Sequence, residues 1–235
     1  MEIIELETEV VDVIERTHDV KSIRLKVDYK KGFMPGQWFF VTLDKDREIQ
    51  RHLTISNSPT ETGFIEFTKK LTGSDFSKIL ETIKPGDWAK IRYPFGEFIF
   101  EGEYKKIAFL SGGIGITPIR SITKYVVDKK LDIDMILLYG NRTEKDIAFK
   151  EDFDKMQQQY AKLKIVHVLS EQKENWDGRR GFINSQVIKE EIPDYRERKF
   201  YISGPPAMVE AMKKTLTDDL NLSNEDIFTE NFTGY

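Results

Sequence analysis

The chain has 235 residues, 39% hydrophobic and 32% charged, which supplies a core, excludes a disordered tether and fits one or two domains of about 100–200 residues. Its net charge of −4 comes from 36 basic and 40 acidic residues scattered among one another, so no basic stripe exists to follow a nucleic-acid backbone. Cysteine is absent and the three histidines, His18, His52 and His167, have no metal-ligand spacing, which excludes disulfides, thiolate clusters and zinc sites of the usual kinds and leaves redox chemistry to an organic cofactor.

From Met1 to about Phe100 the chain reads as short β-type runs separated by turn residues. Strands are predicted over Glu9 to Ile14, Val20 to Val27, Trp38 to Leu43, His52 to Ser56, Phe64 to Lys69 and Trp88 to Tyr93. Gly32, Pro35-Gly36, Pro59, Gly63 and Pro85-Gly86 punctuate them, and this spacing suggests a small antiparallel barrel or sandwich. One short helix is expected over Ser74 to Ile83, where Phe76, Ile79, Leu80 and Ile83 recur at helical spacing.

After Tyr104 apolar strands alternate with longer amphipathic stretches. Ile107 to Ser111 precedes a helix near Pro118 to Asp128, and Met135 to Gly140 one near Asp146 to Tyr160. Lys164 to Ser170 leads to a helix near Ser185 to Glu191, and Phe200 to Gly204 to the last, near Pro206 to Leu220. Such alternation implies βαβ units and a parallel sheet. The rhythm changes around Gly102, which divides the chain into 1–102 and 103–235. No apolar run reaches the roughly 20 residues of a membrane span, and the start MEIIELETEVVDVIE lacks a basic segment before an apolar one, so a cytoplasmic location without membrane insertion is expected.

Three segments carry chemical signals. SGGIGITP, Ser111 to Pro118, sits between a strand and a helix, where a glycine turn lets backbone N–H groups approach a pyrophosphate. It departs from G-x-G-x-x-G, with Pro118 in the third glycine place, and no Lys-Ser or Lys-Thr follows to make a P-loop. SGPPAMVEAM, Ser203 to Met212, makes a second strand-to-helix turn, and both loops belong at the carboxyl ends of their strands, where ligands of parallel sheets collect. RHLTISNSP, Arg51 to Pro59, alternates so that Arg51, Leu53 and Ile55 face one way and His52, Thr54 and Ser56 the other. TGSDFSKIL, Thr72 to Leu80, reads locally as a capped helix start.

In order, these segments resemble the ferredoxin–NADP reductase family along nearly the whole chain. RHLTISNSP is similar to its Arg-x-Tyr-Ser flavin motif, GGIGITP to its nicotinamide nucleotide loop, YISGPPAMV to its Cys-Gly-Pro segment and TGSDFSKIL to its flavin pyrophosphate segment. The PFGEF of Pro94 to Phe98, YGNRTEKDIAF and the terminal ENFTGY also fit. The resemblance implies an antiparallel six-stranded Greek-key flavin barrel followed by a Rossmann-like parallel-sheet NAD(P) domain, with hydride transfer between them. It implies a flavin set of Arg51, His52, Leu53, Thr54, Thr68, Lys70, Gly73 and Ser77. Arg51 would pair with a flavin phosphate, and Thr54 would place its hydroxyl near flavin N5. The implied nucleotide set is Gly112, Gly113, Gly115, Thr117, Pro118, Arg142, Arg179, Gly204, Pro205 and Met208. Thr54, Ser203 and Tyr235 would stand nearest the reacting atoms, and no metal is implied.

The cofactors so implied are FAD, with FMN as the alternative, and NADH or NADPH as donor. Leu53 replaces the family's usual stacking aromatic, and Ser203 replaces its cysteine. Glu171 after Ser170 opposes the extra phosphate of NADPH, whereas Arg142, Arg179 and Arg180 lie close enough in sequence to bind it; the balance leans to NADH. Electrons would pass to a small carrier protein such as ferredoxin or flavodoxin. The alternatives are a free flavin or ferric reductase, and the reductase subunit of a larger oxygenase or dehydrogenase. Lys30, Lys31, Lys69, Lys70, Lys105 and Lys106 form a candidate patch for an acidic carrier. Carboxylates are expected mostly on solvated surface.

Overall fold

The computed structural model describes residues 2–28, 32–171 and 176–232. The first half folds into six antiparallel strands: β1 (Ile4–Thr17), β2 (Val20–Lys26), β3 (Trp38–Leu43), β4 (Ile49–Thr54), β5 (Phe64–Lys70) and β6 (Trp88–Phe95), with helix α1 (Asp75–Thr82) between the last two. Their order in the sheet is β4-β3-β6-β1-β2-β5. Alternate residues such as Phe39 and Val41, Ile23 and Leu25, and Ile65 and Phe67 turn inward to make one core, the pattern expected of strands wetted on one face. The edges β4 and β5 meet only at an isolated Ile55–Phe67 bridge. The barrel therefore closes along a short seam, and the ends of β4 and β5 open outward beside it.

The second half is a parallel sheet: β7 (Lys106–Gly112), β8 (Asp134–Asn141), β9 (Leu163–Leu169), β10 (Arg179–Arg180), β11 (Lys199–Gly204) and β12 (Ile227–Asn231), in the order β10-β9-β8-β7-β11-β12. The helices are α2 (Ile116–Lys129), α3 (Lys150–Gln159), α4 (Ser185–Glu191) and α5 (Pro206–Lys214). Phe109, Met135 and Leu137 face α2 and α3, whereas Leu110, Ile136 and Leu138 face α4 and α5. Burial on both sides explains the unbroken apolar runs of β7 and β8. Strand order reverses between β7 and β11, which makes a crevice at their carboxyl ends.

Both fold expectations hold, with local corrections. β4 starts earlier than expected and ends at Thr54, because Ile55 and Ser56 turn away to bond β5 through the Ser56 N–H and the Glu66 carbonyl. α3 begins only at Lys150, since Phe149 adopts a left-handed backbone with φ of 60°. α5 stops at Lys214 and continues as a wider π turn over Thr215–Asp219. β10 and β12 were not expected.

Candidate functional site

A cavity of about 660 Å³ lies over the barrel seam. The end of β4 supplies Arg51, His52, Leu53 and Thr54, β5 supplies Thr68 and Lys69, and Trp38, Ser74 and Phe98 complete the barrel side. Arg51 is exposed; its guanidinium donates to the Gln50 carbonyl at 2.7 Å and stands 5.9 Å from the Phe76 ring centre. Among the described residues no carboxylate stands within ion-pair distance of it, although, behind the Lys78 hydrogen bond, its charge helps to lower the pKa of Asp75 at the start of α1, which leaves the guanidinium able to take an anion. Leu53 is half-buried: it lines the cavity and also packs against the edge of the barrel core, so it offers an aliphatic surface and no flat ring. Thr54 and Thr68 are both buried, and the Thr68 hydroxyl lies 2.7 Å from that of Ser22 and 2.9 Å from that of Ser56.

Two expected positions differ here. Lys70 does not line the cavity, because its amine is drawn to Asp19 at 2.9 Å on the β1–β2 turn. Lys69, on the opposite face of the strand, lines it instead, and burial followed by the nearby Arg51 charge lowers its pKa. Ser77 is fully buried and its hydroxyl accepts from the Thr72 N–H at 3.0 Å, so it braces the α1 cap while Ser74 faces the cavity. A side chain added at Gly73 would meet nothing within 4 Å, which leaves the approach to α1 clear.

The nucleotide-loop residues gather at the crevice between β7 and β11. A Cβ on Gly115 would stand 2.4 Å from both the Gly204 Cα and the Ser203 carbonyl oxygen, so only glycine lets this turn lie against the end of β11. One on Gly112 would strike the Met208 sulfur at 2.3 Å. Gly113 is held from behind by the Tyr139 hydroxyl, which donates to its carbonyl at 2.9 Å, and faces open space. Thr117 is turned inward, donating to the Ile114 carbonyl at 3.2 Å, and Pro118 is buried in the first turn of α2. Pro205 precedes α5 in extended conformation. Ser203 is fully buried, yet its hydroxyl has no hydrogen-bond partner among the described residues.

Arg142, in the loop after β8, and Arg179, on the edge strand β10, lie apart from this cradle, each already matched by carboxylate. Arg142 donates to both Glu171 oxygens at 2.8 and 2.9 Å, and Arg179 pairs with Glu190 and Glu191 at 2.5 and 2.6 Å. The lysine patch is similarly dispersed: Lys69 is buried, Lys70 and Lys106 are ion-paired, and Lys30 and Lys31 fall outside the described residues. Tyr235 also lies outside them.

Cavity and cradle share a wall. Ile114, inside the glycine loop, lines the cavity, as does Phe232, whose N–H donates to the Gly204 carbonyl at 3.0 Å. Next to them stands Glu230, which sequence reasoning missed; the ENFTGY segment drew attention only to its terminal aromatic. β12 pairs with β11 so that Glu230 lies beside Ser203. Its Oε2 is shielded from water without a hydrogen-bond partner among the described residues, and burial pushes the carboxyl up to about 8 from an ordinary 4.5.

The consequence for stability has a definite sign. Between 4.5 and about 8 the folded carboxyl keeps a proton that the unfolded chain has shed, so stability falls as pH rises through this window. Glu230→Gln is expected to flatten that decline, by on the order of 1 kcal/mol per pH unit, in thermal or urea unfolding of the flavin-free protein. Equal slopes for the two proteins would contradict it.

Comparison with known proteins matches residues 7–100 to the oxidoreductase FAD-binding domain and 109–214 to the oxidoreductase NAD-binding domain. The chain is 30% identical over 230 residues to the glycine betaine monooxygenase reductase subunit of Pseudomonas aeruginosa, covering 93% of this chain and 63% of that one. It is 31% identical over 206 residues to NADH-cytochrome b5 reductase 2 of Debaryomyces hansenii, covering 80% and 69%. Among solved structures, the ferredoxin reductase in carbazole 1,9a-dioxygenase superposes with a TM-score of 0.84 at 28% identity, over 99% of this chain and 70% of that one. The chain thus spans just under two thirds of the reductase subunit it matches, and the two adjoining family matches cover most of its length. With this fold, and with the flavin-side and nucleotide-side residues meeting at one wall, the chain belongs to the ferredoxin reductase-like family of two-domain FAD- and NAD-binding oxidoreductases.

Proposed function

We propose that this protein is an NADH-dependent flavoprotein reductase that takes hydride at the shared wall and passes electrons to a separate carrier protein or oxygenase component. The observation that carries the reading is the single cavity bounded by Thr54 of the barrel and Ile114 of the glycine loop. Its volume lies within the usual range for cofactor sites, about 300–1,000 Å³. Its donors suit a flavin: an arginine without a contact ion pair among the described residues, buried threonine hydroxyls and an unobstructed glycine before a helix start.

A bound flavin supplies a centre that accepts hydride from nicotinamide and releases electrons singly. The chain's own residues do the rest. Arg51, Gly73 and Ser74 would hold the phosphate end, where charge and a helix N-terminus both favour an anion. Thr54 would offer its hydroxyl to the flavin, and Thr68, fixed by Ser22 and Ser56, would bound it. The Gly112–Gly115 loop and Gly204 hold the dinucleotide, with Met208 across them, and Ser203 offers its unpaired hydroxyl to the nicotinamide. Trp38, Phe98, Ile114 and Phe232 exclude water. We place the domain boundary at 102/103, where Gly102 turns with φ of 98°, and the protein in the cytoplasm, where NADH is supplied.

The names of two relatives support this acceptor class: one is the reductase subunit of a monooxygenase, another the ferredoxin reductase in a dioxygenase. Leu53 lines the cavity with an aliphatic side chain in place of a stacking ring, which supports a second reading, a flavin held loosely enough to serve as substrate. Purified protein that is colourless but turns over added flavin would select that reading.

Anaerobic titration with each nucleotide tests the donor. NADH is expected to bleach the flavin's visible band at far lower concentration than NADPH. The Glu171–Arg142 pair carries this preference, since an extra phosphate would meet the carboxylate. Glu171→Gln is expected to improve kcat/KM for NADPH about tenfold, roughly 1.4 kcal/mol, with little change for NADH. An unaltered NADPH to NADH ratio would remove Glu171 from the account.

A further inference from the structure

A heavily buried charged cluster lies outside the cofactor surfaces, where the two halves meet. Arg120 on α2 is only 4% exposed, and such a charge requires pairing and complete hydrogen bonding. Its guanidinium chelates Glu61, with the Oε1 contact at 3.0 Å, donates to Asp152 of α3 at 2.9 Å and reaches the Ser56 carbonyl at 3.2 Å. Burial alone would lower its pKa, but Glu61, Glu66 and Asp152 together raise it, so the group stays charged. Asp152 also lies 3.8 Å from Arg16, which reaches the wholly buried Glu66 at 3.3 Å. Glu66 in turn accepts from the Ser56 hydroxyl at 3.0 Å, and that hydroxyl also touches Thr68.

What sets this cluster apart is where it grips. Ser56 is two residues beyond Thr54, on the chain leaving β4, and Arg120 is five residues beyond Gly115 on a continuous helix. Nearby, the Ser121 hydroxyl donates to the Asn57 carbonyl at 2.7 Å. The flavin-side strand and the nucleotide-side loop are thus joined through rigid backbone on each side. An apolar contact would hold the halves together as well or better, but a planar five-donor fork on a carbonyl and two carboxylates fixes direction and distance as well.

We propose that Arg120 is a positioning residue for hydride transfer, clamping the glycine loop to the Thr54 strand so that the two rings meet at reactive distance. The proposal rests on the reductase reading above. Misplacement of about 1 Å far from the chemistry can lower a rate by roughly a hundredfold, and such a loss should fall on the limiting rate while leaving each ligand's own contacts intact.

The test is anaerobic rapid mixing of the flavin-loaded protein with NADH, reading the limiting rate of flavin bleaching and the NADH dissociation constant separately. Arg120→Lys is expected to lower the limiting rate about ten- to a hundredfold, with flavin content retained and the dissociation constant within a few-fold of wild type. Arg198→Lys is the comparison, because Arg198 is equally buried but pairs within the nucleotide half, with Asp194 and Asp134. It is expected to lower thermal stability and leave the limiting rate unchanged. If Arg120→Lys does not accumulate folded, Glu61→Gln, which removes one side of the chelate without changing size, carries the same expectation. An unchanged limiting rate in Arg120→Lys or Glu61→Gln, a loss residing wholly in the dissociation constant, or an equal loss in Arg198→Lys would overturn the positioning role. Wild-type protein that NADH fails to bleach would instead overturn the reductase reading, and the proposal with it.

Discussion

Arg51→Ala is expected to give a folded protein that is purified largely without flavin, with FAD affinity lowered about 30- to 150-fold. The estimate follows from losing charge-assisted hydrogen bonds to a phosphate, about 2–3 kcal/mol in total. The residue is exposed and its only described side-chain hydrogen bond goes to the neighbouring Gln50 carbonyl, so the apoprotein should unfold at close to the wild-type temperature. Added FAD should restore most of the turnover, because the lost term is binding and the reacting ends of both rings are undisturbed. Flavin fluorescence quenching gives the affinity directly. A variant that keeps its flavin through purification would remove Arg51 from the phosphate site.

Gly115→Ala should produce the opposite phenotype, retaining flavin but losing NADH-dependent reduction by about a hundredfold or more. The new Cβ would stand 2.4 Å from backbone atoms of Gly204 and Ser203, and backbone cannot swing aside as a side-chain tip can. The loop must move away from the end of β11, taking with it the surface proposed to hold the dinucleotide. Chemical reduction of the flavin by dithionite, which bypasses the nucleotide, should proceed as in wild type. A variant reduced by NADH within threefold of the wild-type rate would show that the close approach of the two loops is not needed.

Much of this arrangement is legible in the residues, and the failures have physical causes. Trp38–Leu43 is located to the residue because Pro35-Gly36 turns the chain just before it and apolar side chains dominate it. The turn before β4 carries no glycine; Asp44 and Glu48 take positive φ there, so the start of β4 is invisible to turn chemistry. Phe149 looks like an interior helix residue, yet the Arg16 and Arg120 guanidiniums lie 4.5 and 5.5 Å from its ring and its backbone is left-handed. Tertiary contact overrides local propensity at that point.

The same reasoning accounts for the acids. Most carboxylates are solvated or surface-paired, as composition suggests, but Glu66 and Glu230 are not. Glu66 sits in an ordinary alternating strand, and its burial follows from three cationic or hydroxyl partners at distant sequence positions. Glu230 belongs to a short edge strand whose alternation gives no signal of which face is covered. Lys70 and Ser77 were assigned by motif order alone, and strand phase and cap geometry turn both side chains elsewhere.

The central claim is that donor and acceptor rings meet across the wall formed by Ile114 and Thr54. It is tested most directly by mixing the anaerobic flavoprotein with NADH and with NADH deuterated at the transferred position, following loss of the visible flavin band. Direct transfer predicts complete bleaching in both cases and a slower rate with the deuterated donor. Bleaching that requires an added mediator, or that proceeds at the same rate with both donors, would contradict it.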